Sequence, residues 1–258
     1  MKNIELDYTF NTRDLGGMTT KDNLKIKTNK LIRSGSLHKL SQKDIETLKQ
    51  HNLKIVIDFR SEKDFVIRPD IKIDGVTYIN FPVLAKEKNE DNSKHHDSNL
   101  LRLVDKETGG MKLLINTYKA MFTTNEGLLA YKNFFKVVQE NEEGAILWHC
   151  SQGKDRAGMA AFLLEYALGV SMEDCINDYL YTNIAMEKKI EELTPIVLND
   201  SKNDYSLLPL LKDVFMAKME YLNTALQVIN EQYSSIDNFL IKVLEVDIEL
   251  LKNKYLEK

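Results

Sequence analysis

Cysteine, tryptophan and arginine are scarce in this chain. Its 258 residues include two Cys and one Trp. Two thiols cannot build the disulfide framework of a small secreted domain, and they fit a reducing compartment. Arginine supplies six of the 35 basic residues, so an arginine inside a motif is a placed residue. No apolar run approaches the roughly 20 residues that a membrane-spanning helix needs. The opening "MKNIELDYTF" lacks the apolar core of a Sec-type signal peptide. A formal net charge of −4 gives no electrostatic reason to expect a nucleic-acid partner. The chain reads as soluble, without stable membrane insertion. It is cytoplasmic, or exported without a recognisable signal peptide.

The remaining composition, 43% hydrophobic and 29% charged, is that of a globular protein with enough length for a sizeable core. Two apolar runs, 53–59 ("LKIVIDF") and 145–148 ("AILW"), do not alternate with polar residues. Strands of this kind are covered on both faces, as in a parallel sheet between helices. Residues 76–83 are a third candidate strand, and 24–26 and 31–32 are candidate edge strands. Ser41 followed by Asp44 resembles a capping box that opens a helix to about His51. The run 157–168 is apolar nearly all round and predicts a buried central helix closed by Gly169, with Ser171 capping the next. Met219, Leu222, Leu226, Ile229 and Tyr233 step by three and four, as do Leu240, Leu244, Ile248, Leu251 and Tyr255; both stripes predict core-facing helices. Residues 86–99 are nearly devoid of apolar side chains and read as a solvated loop. Its His95–His96 pair lacks the companions a metal site requires. Strands alternating with helices give an α/β class.

The stretch "HCSQGKDRAG" (149–158) lies between the second apolar run and the buried helix. A strand-to-helix loop brings backbone N–H groups to the positive end of the helix dipole, where they bind anions. Gly153 permits the conformation in which consecutive N–H groups turn inward, and Gly158 permits close approach of the helix to the sheet. Cys150 begins this cradle, near Lys154 and Arg156, in surroundings that favour a nucleophilic thiolate. The guanidinium of Arg156 can hold two oxygens of one phosphoryl group, which a lysine cannot. From this chain's own frequencies, H-C-x-x-G-x-x-R arises by chance in about one chain in tens of thousands.

H-C-x5-R followed by Gly resembles the phosphate-binding loop of cysteine-dependent protein tyrosine phosphatases. The interior "GKDR" is similar to the bacterial tyrosine and lipid phosphatase family, an atypical dual-specificity group. "NTRDLGG" (11–17), "LIRSGSLHKLS" (31–41), "VIDFRSEKD" (56–64) and "YLNTALQVINEQYSSIDNFL" (221–240) extend the resemblance over nearly the whole chain. It implies a protein-tyrosine-phosphatase-like α/β fold, a mostly parallel central sheet flanked by helices, in one domain over 1–258. Within that domain, 206–258 is helical. Residues about 84–124 form either a lid over the site or an ordinary surface excursion.

The resemblance also implies chemistry. Cys150 is the nucleophile of a phosphocysteine intermediate. Ser151, Gln152, Gly153, Lys154, Asp155 and Arg156 hold the phosphate or another oxyanion. His149 supports the loop, and Asp58, Arg60 and Glu62 brace it or the substrate. Asp155 is the in-loop general acid, with Asp58, Asp97 and Asp105 as alternatives. Lys154 is either a structural lysine or an added charge for phosphoinositides. No metal and no cofactor are implied. The partners are phosphorylated proteins, phosphotyrosine above all and phosphoserine or phosphothreonine besides, or phosphoinositides. Ala157 departs from the pattern: most relatives carry Ser or Thr there, whose hydroxyl helps expel the thiolate. An inositol polyphosphate phosphatase and a non-catalytic phosphate-recognising module are the alternatives, and Arg156 argues against a rhodanese-like sulfur carrier.

Overall fold

The two apolar runs that do not alternate lie side by side in the middle of a six-stranded sheet. A computed structural model gives the structure, and it describes residues 2–84 and 110–257. The strands are β1 (Lys2–Asn3), β2 (Arg13–Asp14), β3 (Leu31–Ser34), β4 (Leu53–Asp58), β5 (Thr77–Asn80) and β6 (Ala145–His149), in the order β1-β2-β3-β6-β4-β5. The four from β3 to β5 are mutually parallel, and the two-residue β1 and β2 add on antiparallel. Side chains alternate between the faces. Ile32, Val56 and Leu147 pack with Leu48 on one side, while Leu31, Ile57, Ile146 and Trp148 enter the larger core on the other.

The register places the site. Ser34 pairs with His149, His149 with Asp58, and Asp58 with Asn80, so the parallel strands end in one row. The carboxyl ends of strands in an open α/β sheet are where crevices form.

Two expectations about strands are corrected. Residues 31–32 are not an edge: β3 is fully buried between β2 and β6, because the N-terminal segment covers it. Residues 24–26 form no strand and make isolated bridges, Lys25 to Thr19 and Ile26 to Leu256. The third candidate is shorter than expected and is the partly exposed edge strand β5.

Helix α1 (Gln42–Gln50) carries the expected capping box, Ser41 Oγ accepting from Asp44 N and Asp44 Oδ2 from Ser41 N. The short α2 (Glu62–Ile67) follows β4. Then come α3 (Gly110–Thr123), α4 (Asn125–Glu140), α5 (Arg156–Ala167), α6 (Met172–Ala185), α7 (Glu187–Asp200) and α8 (Leu208–Phe215). The last two long helices are α9 (Met219–Tyr233) and α10 (Ile248–Tyr255). Helix α5 is the buried helix expected from its all-round apolarity, and only Arg156 and Tyr166 escape full burial. Gly169, at φ +90°, follows its end.

The first C-terminal stripe is α9, whose buried Tyr221, Leu222 and Ala225 pack against α3. The second stripe is not one helix. After a π-helical turn at Phe239–Val243, Glu245 takes a left-handed φ of +55°, and Asp247 caps α10 by accepting from Leu250 N. An Asp cap reinforces the break that the apolar spacing hides.

The region 84–124 divides. Residues 110–123 are α3, whose Leu114, Tyr118, Met121 and Phe122 are buried in the main core, so this half is not a surface excursion. The loop 86–99 with His95 and His96, and the acid candidates Asp97 and Asp105, lie outside the described residues.

Candidate active site

Between the end of β6 and the start of α5 run residues 150–155. Their carbonyls are taken from outside. Ser36 N–H donates to Ser151 O (3.3 Å), Asn11 Nδ2 to Gln152 O (3.1 Å) and Arg33 Nη2 to Gly153 O (2.8 Å). In a planar trans peptide the C=O and the following N–H point in opposite directions. Three consecutive carbonyls held outward therefore leave the N–H groups of 152, 153 and 154 facing away from those donors. Gly153 is required here: its φ is +67°, and a Cβ would lie 2.5 Å from Ser34 O.

Cys150 opens the loop and is 2% exposed. Arg156 spans it, with Nη2 donating to Ser151 Oγ (3.1 Å) and Nη1 to Phe59 O (3.4 Å). The helix start is fixed by Tyr131 Oη on Arg156 O and Trp148 Nε1 on Ala157 O. Ala157 itself is buried, its methyl in the core.

Beneath Cys150 lies a closed ionic network. Arg60 binds both oxygens of Asp58 through Nε, and its Nη2 donates to Asp58 Oδ2 (2.7 Å) and Asp70 Oδ1 (2.8 Å). Asp70 Oδ2 faces His149 Nε2 at 2.9 Å, and His149 Nδ1 faces Cys150 O at 3.1 Å. A carboxylate and a carbonyl only accept, so both ring nitrogens are placed as donors, an arrangement that favours the imidazolium form of His149. Burial opposes that charge, but Asp58 and Asp70 outweigh it and raise the His149 pKa. A cation thus stands next to Cys150 in the chain. Asp58, Asp70 and His149 offer ligand atoms within 4.8 Å of one another. Two carboxylates, one guanidinium and one imidazolium already balance, however, and a metal would have to displace Arg60.

Lys154 is fully buried. Its Nζ donates to Val214 O and to Met216 O (3.3 Å) at the end of α8, and lies 3.3 Å from Asp155 Oδ1. Burial lowers its pKa against the pull of Asp155. Its ammonium is thus taken up by two backbone carbonyls and Asp155. Asp155 precedes α5 without capping it through its side chain, and its Oδ1 accepts from Tyr118 Oη at 2.9 Å. Asp58, the other acid candidate among the described residues, is engaged by Arg60. Glu62 is the first residue of α2, two positions beyond Arg60.

The sequence did not single out Asp70, Ser36 or Tyr118. Nothing near Asp70 marks it, since its partners stand 10 and 79 residues away. Asn11 and Arg33 lie in the segments 11–17 and 31–41, where nothing in the sequence marks a role for them.

A model of the tyrosine phosphatase family matches residues 4–257. The chain belongs to that family. A Cupriavidus necator protein, named provisionally as a tyrosine-protein phosphatase, is 28% identical over 255 residues, covering 98% of this chain and 88% of that one. The triple specificity protein phosphatase PtpB of Mycobacterium tuberculosis is 26% identical over 264 residues, covering 92% of each. Among solved structures, P. aeruginosa TpbA aligns over 78% of this chain and 96% of its own, at 13% identity and a TM-score of 0.35. The chain is a phosphatase of the tyrosine phosphatase family, with a phosphorylated substrate. Its α/β architecture agrees with the expected fold class. No helix among the described residues is long and apolar enough to cross a membrane.

Proposed function

We propose that this phosphatase hydrolyses phosphomonoesters through a phosphocysteine at Cys150, with protein phosphotyrosine as its main substrate. The observation that carries the reading is the loop itself, with carbonyls braced outward, Arg156 drawn across to Ser151, and Cys150 recessed at its start. The sulfur attacks phosphorus in line, the S–P bond forms, and the P–O bond to the leaving phenol breaks. Loop N–H groups and Arg156 stabilise the charge on the equatorial oxygens. Asp155 donates the proton that the leaving oxygen takes. The same carboxylate then accepts a proton from the water that splits the S–P bond, releasing inorganic phosphate.

Phosphotyrosine is placed first because a sulfur this recessed is reached more easily by a phosphate at the tip of an aryl ring than by one on a short serine. Phosphoserine, phosphothreonine and phosphoinositides are secondary substrates, an extension suggested by the triple specificity in PtpB's name. Lys154, bound to Val214 and Met216, adds no charge for inositol polyphosphates. A panel of phosphotyrosine and phosphoserine peptides, phosphoinositide vesicles and soluble inositol polyphosphates tests this. We expect phosphotyrosine to turn over fastest and the inositol polyphosphates slowest; the reverse order overturns the substrate assignment, and no hydrolysis of any overturns the reaction.

Ala157 gives a second expectation. Without a hydroxyl to stabilise the departing thiolate, breakdown of phosphocysteine is the slow step. Rapid-mixing kinetics with an activated aryl phosphate should show a burst of phenolate equal to the enzyme concentration. Absence of a burst would place the slow step before the intermediate.

A further inference from the structure

We propose that Tyr118 is a positioning residue that fixes which oxygen of Asp155 carries the proton used in catalysis. The inference rests on the reading of Asp155 as the acid. Tyr118, on α3, is fully buried, and its hydroxyl is 2.9 Å from Asp155 Oδ1 and 2.9 Å from the hydroxyl of Tyr179 on α6. Tyr179 has two acceptors in reach, Tyr118 Oη and the Lys218 carbonyl at 3.3 Å. The shorter contact directs its hydrogen onto Tyr118 Oη. The Tyr118 hydrogen is then directed at Asp155, and the chain of donors runs one way, each bond polarising the next.

The Lys154 ammonium, 3.3 Å away, pairs with the same oxygen. An oxygen that already accepts one hydrogen and faces a positive charge is a poor place for another proton. The acid proton of Asp155 therefore resides on Oδ2, the oxygen left over for the leaving group. Burial keeps Tyr118 a phenol, since it raises the hydroxyl pKa well above the usual value, with the Asp155 charge adding to it. Tyr118 is thus a donor across the working pH range. It touches neither substrate nor sulfur and acts through Asp155.

The titratable groups around Asp155 come from the loop and five helices. They are Tyr118 on α3, Tyr131 on α4, Cys150, Lys154 and Arg156 in and after the loop, Tyr179 on α6, and Tyr221 on α9. Both Tyr179 and Tyr221 are pushed far up, by burial first, and stay neutral. Only Asp155 among them is required to hold a proton and then lose it.

The test compares Tyr118→Phe and Asp155→Asn with the wild type on aryl phosphates of increasingly basic leaving groups, each with a pH profile. Tyr118→Phe should lower kcat by roughly 10–100-fold on phenyl phosphate, a part of what a placed acid contributes. On 2,4-dinitrophenyl phosphate, which needs no acid, kcat should change little. Removing a hydrogen bond donated to a carboxylate favours its protonated form, so the alkaline limb of the profile should move to higher pH. A packing defect would slow all substrates alike and leave the limb in place.

If Asp155→Asn discriminates between leaving groups and Tyr118→Phe does not, the positioning role is overturned and the acid stands. If Asp155→Asn slows all equally, the acid reading fails and takes this inference with it. Should Tyr118→Phe fail to fold, Tyr179→Phe decides. It removes the hydrogen that sets the Tyr118 rotor, and a profile and leaving-group dependence unchanged from wild type would overturn the proposal.

Discussion

Cys150→Ser is expected to abolish turnover of a phosphotyrosine peptide, by on the order of 10⁴-fold or more, and to leave oxyanion binding almost intact. The two halves of this result have different causes. Serine fills nearly the same volume, but its hydroxyl is a weak nucleophile at neutral pH. The cradle does not depend on the sulfur. Its carbonyls are held by Ser36, Asn11 and Arg33, its glycine turn by the close approach of Ser34, and Arg156 by Ser151 and Phe59. Product release and calorimetric titration with inorganic phosphate measure the two halves separately. A mutant that keeps turning over would move the nucleophile elsewhere. The other thiol is a poor substitute: Cys175 is buried on α6, and burial first, with the Asp178 charge adding to it, pushes its pKa far up. Residual activity would therefore overturn the Cys150 thiolate as the required nucleophile.

The nucleophile and its loop are legible because all their parts are consecutive in the chain. A loop that must hold one phosphate writes its Cys, Gly and Arg within seven positions. The network beneath it is not written that way. His149 is oriented by Asp70, 79 residues earlier, and Asp155 is met by Tyr118, 37 residues earlier. Such pairs form only when the sheet aligns β4 with β6 and when α3 packs on α9.

Lys154 shows the same limit from the other side. In the sequence it is a cation in an anion-binding loop, with two meanings that spacing cannot separate. Its ammonium lies against the end of α8 because Val214 and Met216 present carbonyls there. For the fold, the uniform apolarity of 53–59 and 145–148 predicted the central strands. By contrast, β1 and β2 are two polar residues each and carry no apolar pattern. They become strands because β3 offers an open edge for the N-terminal segment.

Asp178→Asn is expected to be the most destabilising of the conservative substitutions, because it strips the only charged carboxylate from a buried cluster of two arginines. Asp178 receives Arg13 Nε at 2.8 Å and Arg33 Nη1 at 2.6 Å, and all three side chains are almost fully buried. Burial opposes its ionisation, but Arg13 and then Arg33 outweigh this and push its pKa far down. Glu165, also buried, goes the other way: burial first and the Asp178 charge second hold it protonated.

Breaking a buried pair of this kind costs about 3–5 kcal/mol, a large part of the total for a domain. The single mutant should fall near the lower end, since losing Asp178 removes one of the influences that keep Glu165 neutral. Glu165 can then ionise beside Arg33. Asp178→Asn combined with Glu165→Gln removes that escape and should reach the upper end, so the pair is non-additive in a double-mutant cycle.

The pH dependence carries opposite signs. Asp178, lowered in the fold, contributes stability above about pH 4 that is lost as pH falls towards its folded value. Glu165, raised in the fold, contributes below about pH 4, and that contribution is lost as pH rises through its folded value. Urea unfolding of wild type and both variants across pH measures each slope, and an acid limb unchanged in Asp178→Asn would rule out the assigned role.

The same substitution reaches the active site. Arg33 holds Asp178 with Nη1 and the Gly153 carbonyl with Nη2. A guanidinium freed from its carboxylate no longer has a fixed position from which to brace the loop. Loss of kcat/KM in Asp178→Asn that is still folded, at a temperature well below its Tm, would show that the buried cluster positions the phosphate cradle as well as stabilising the core.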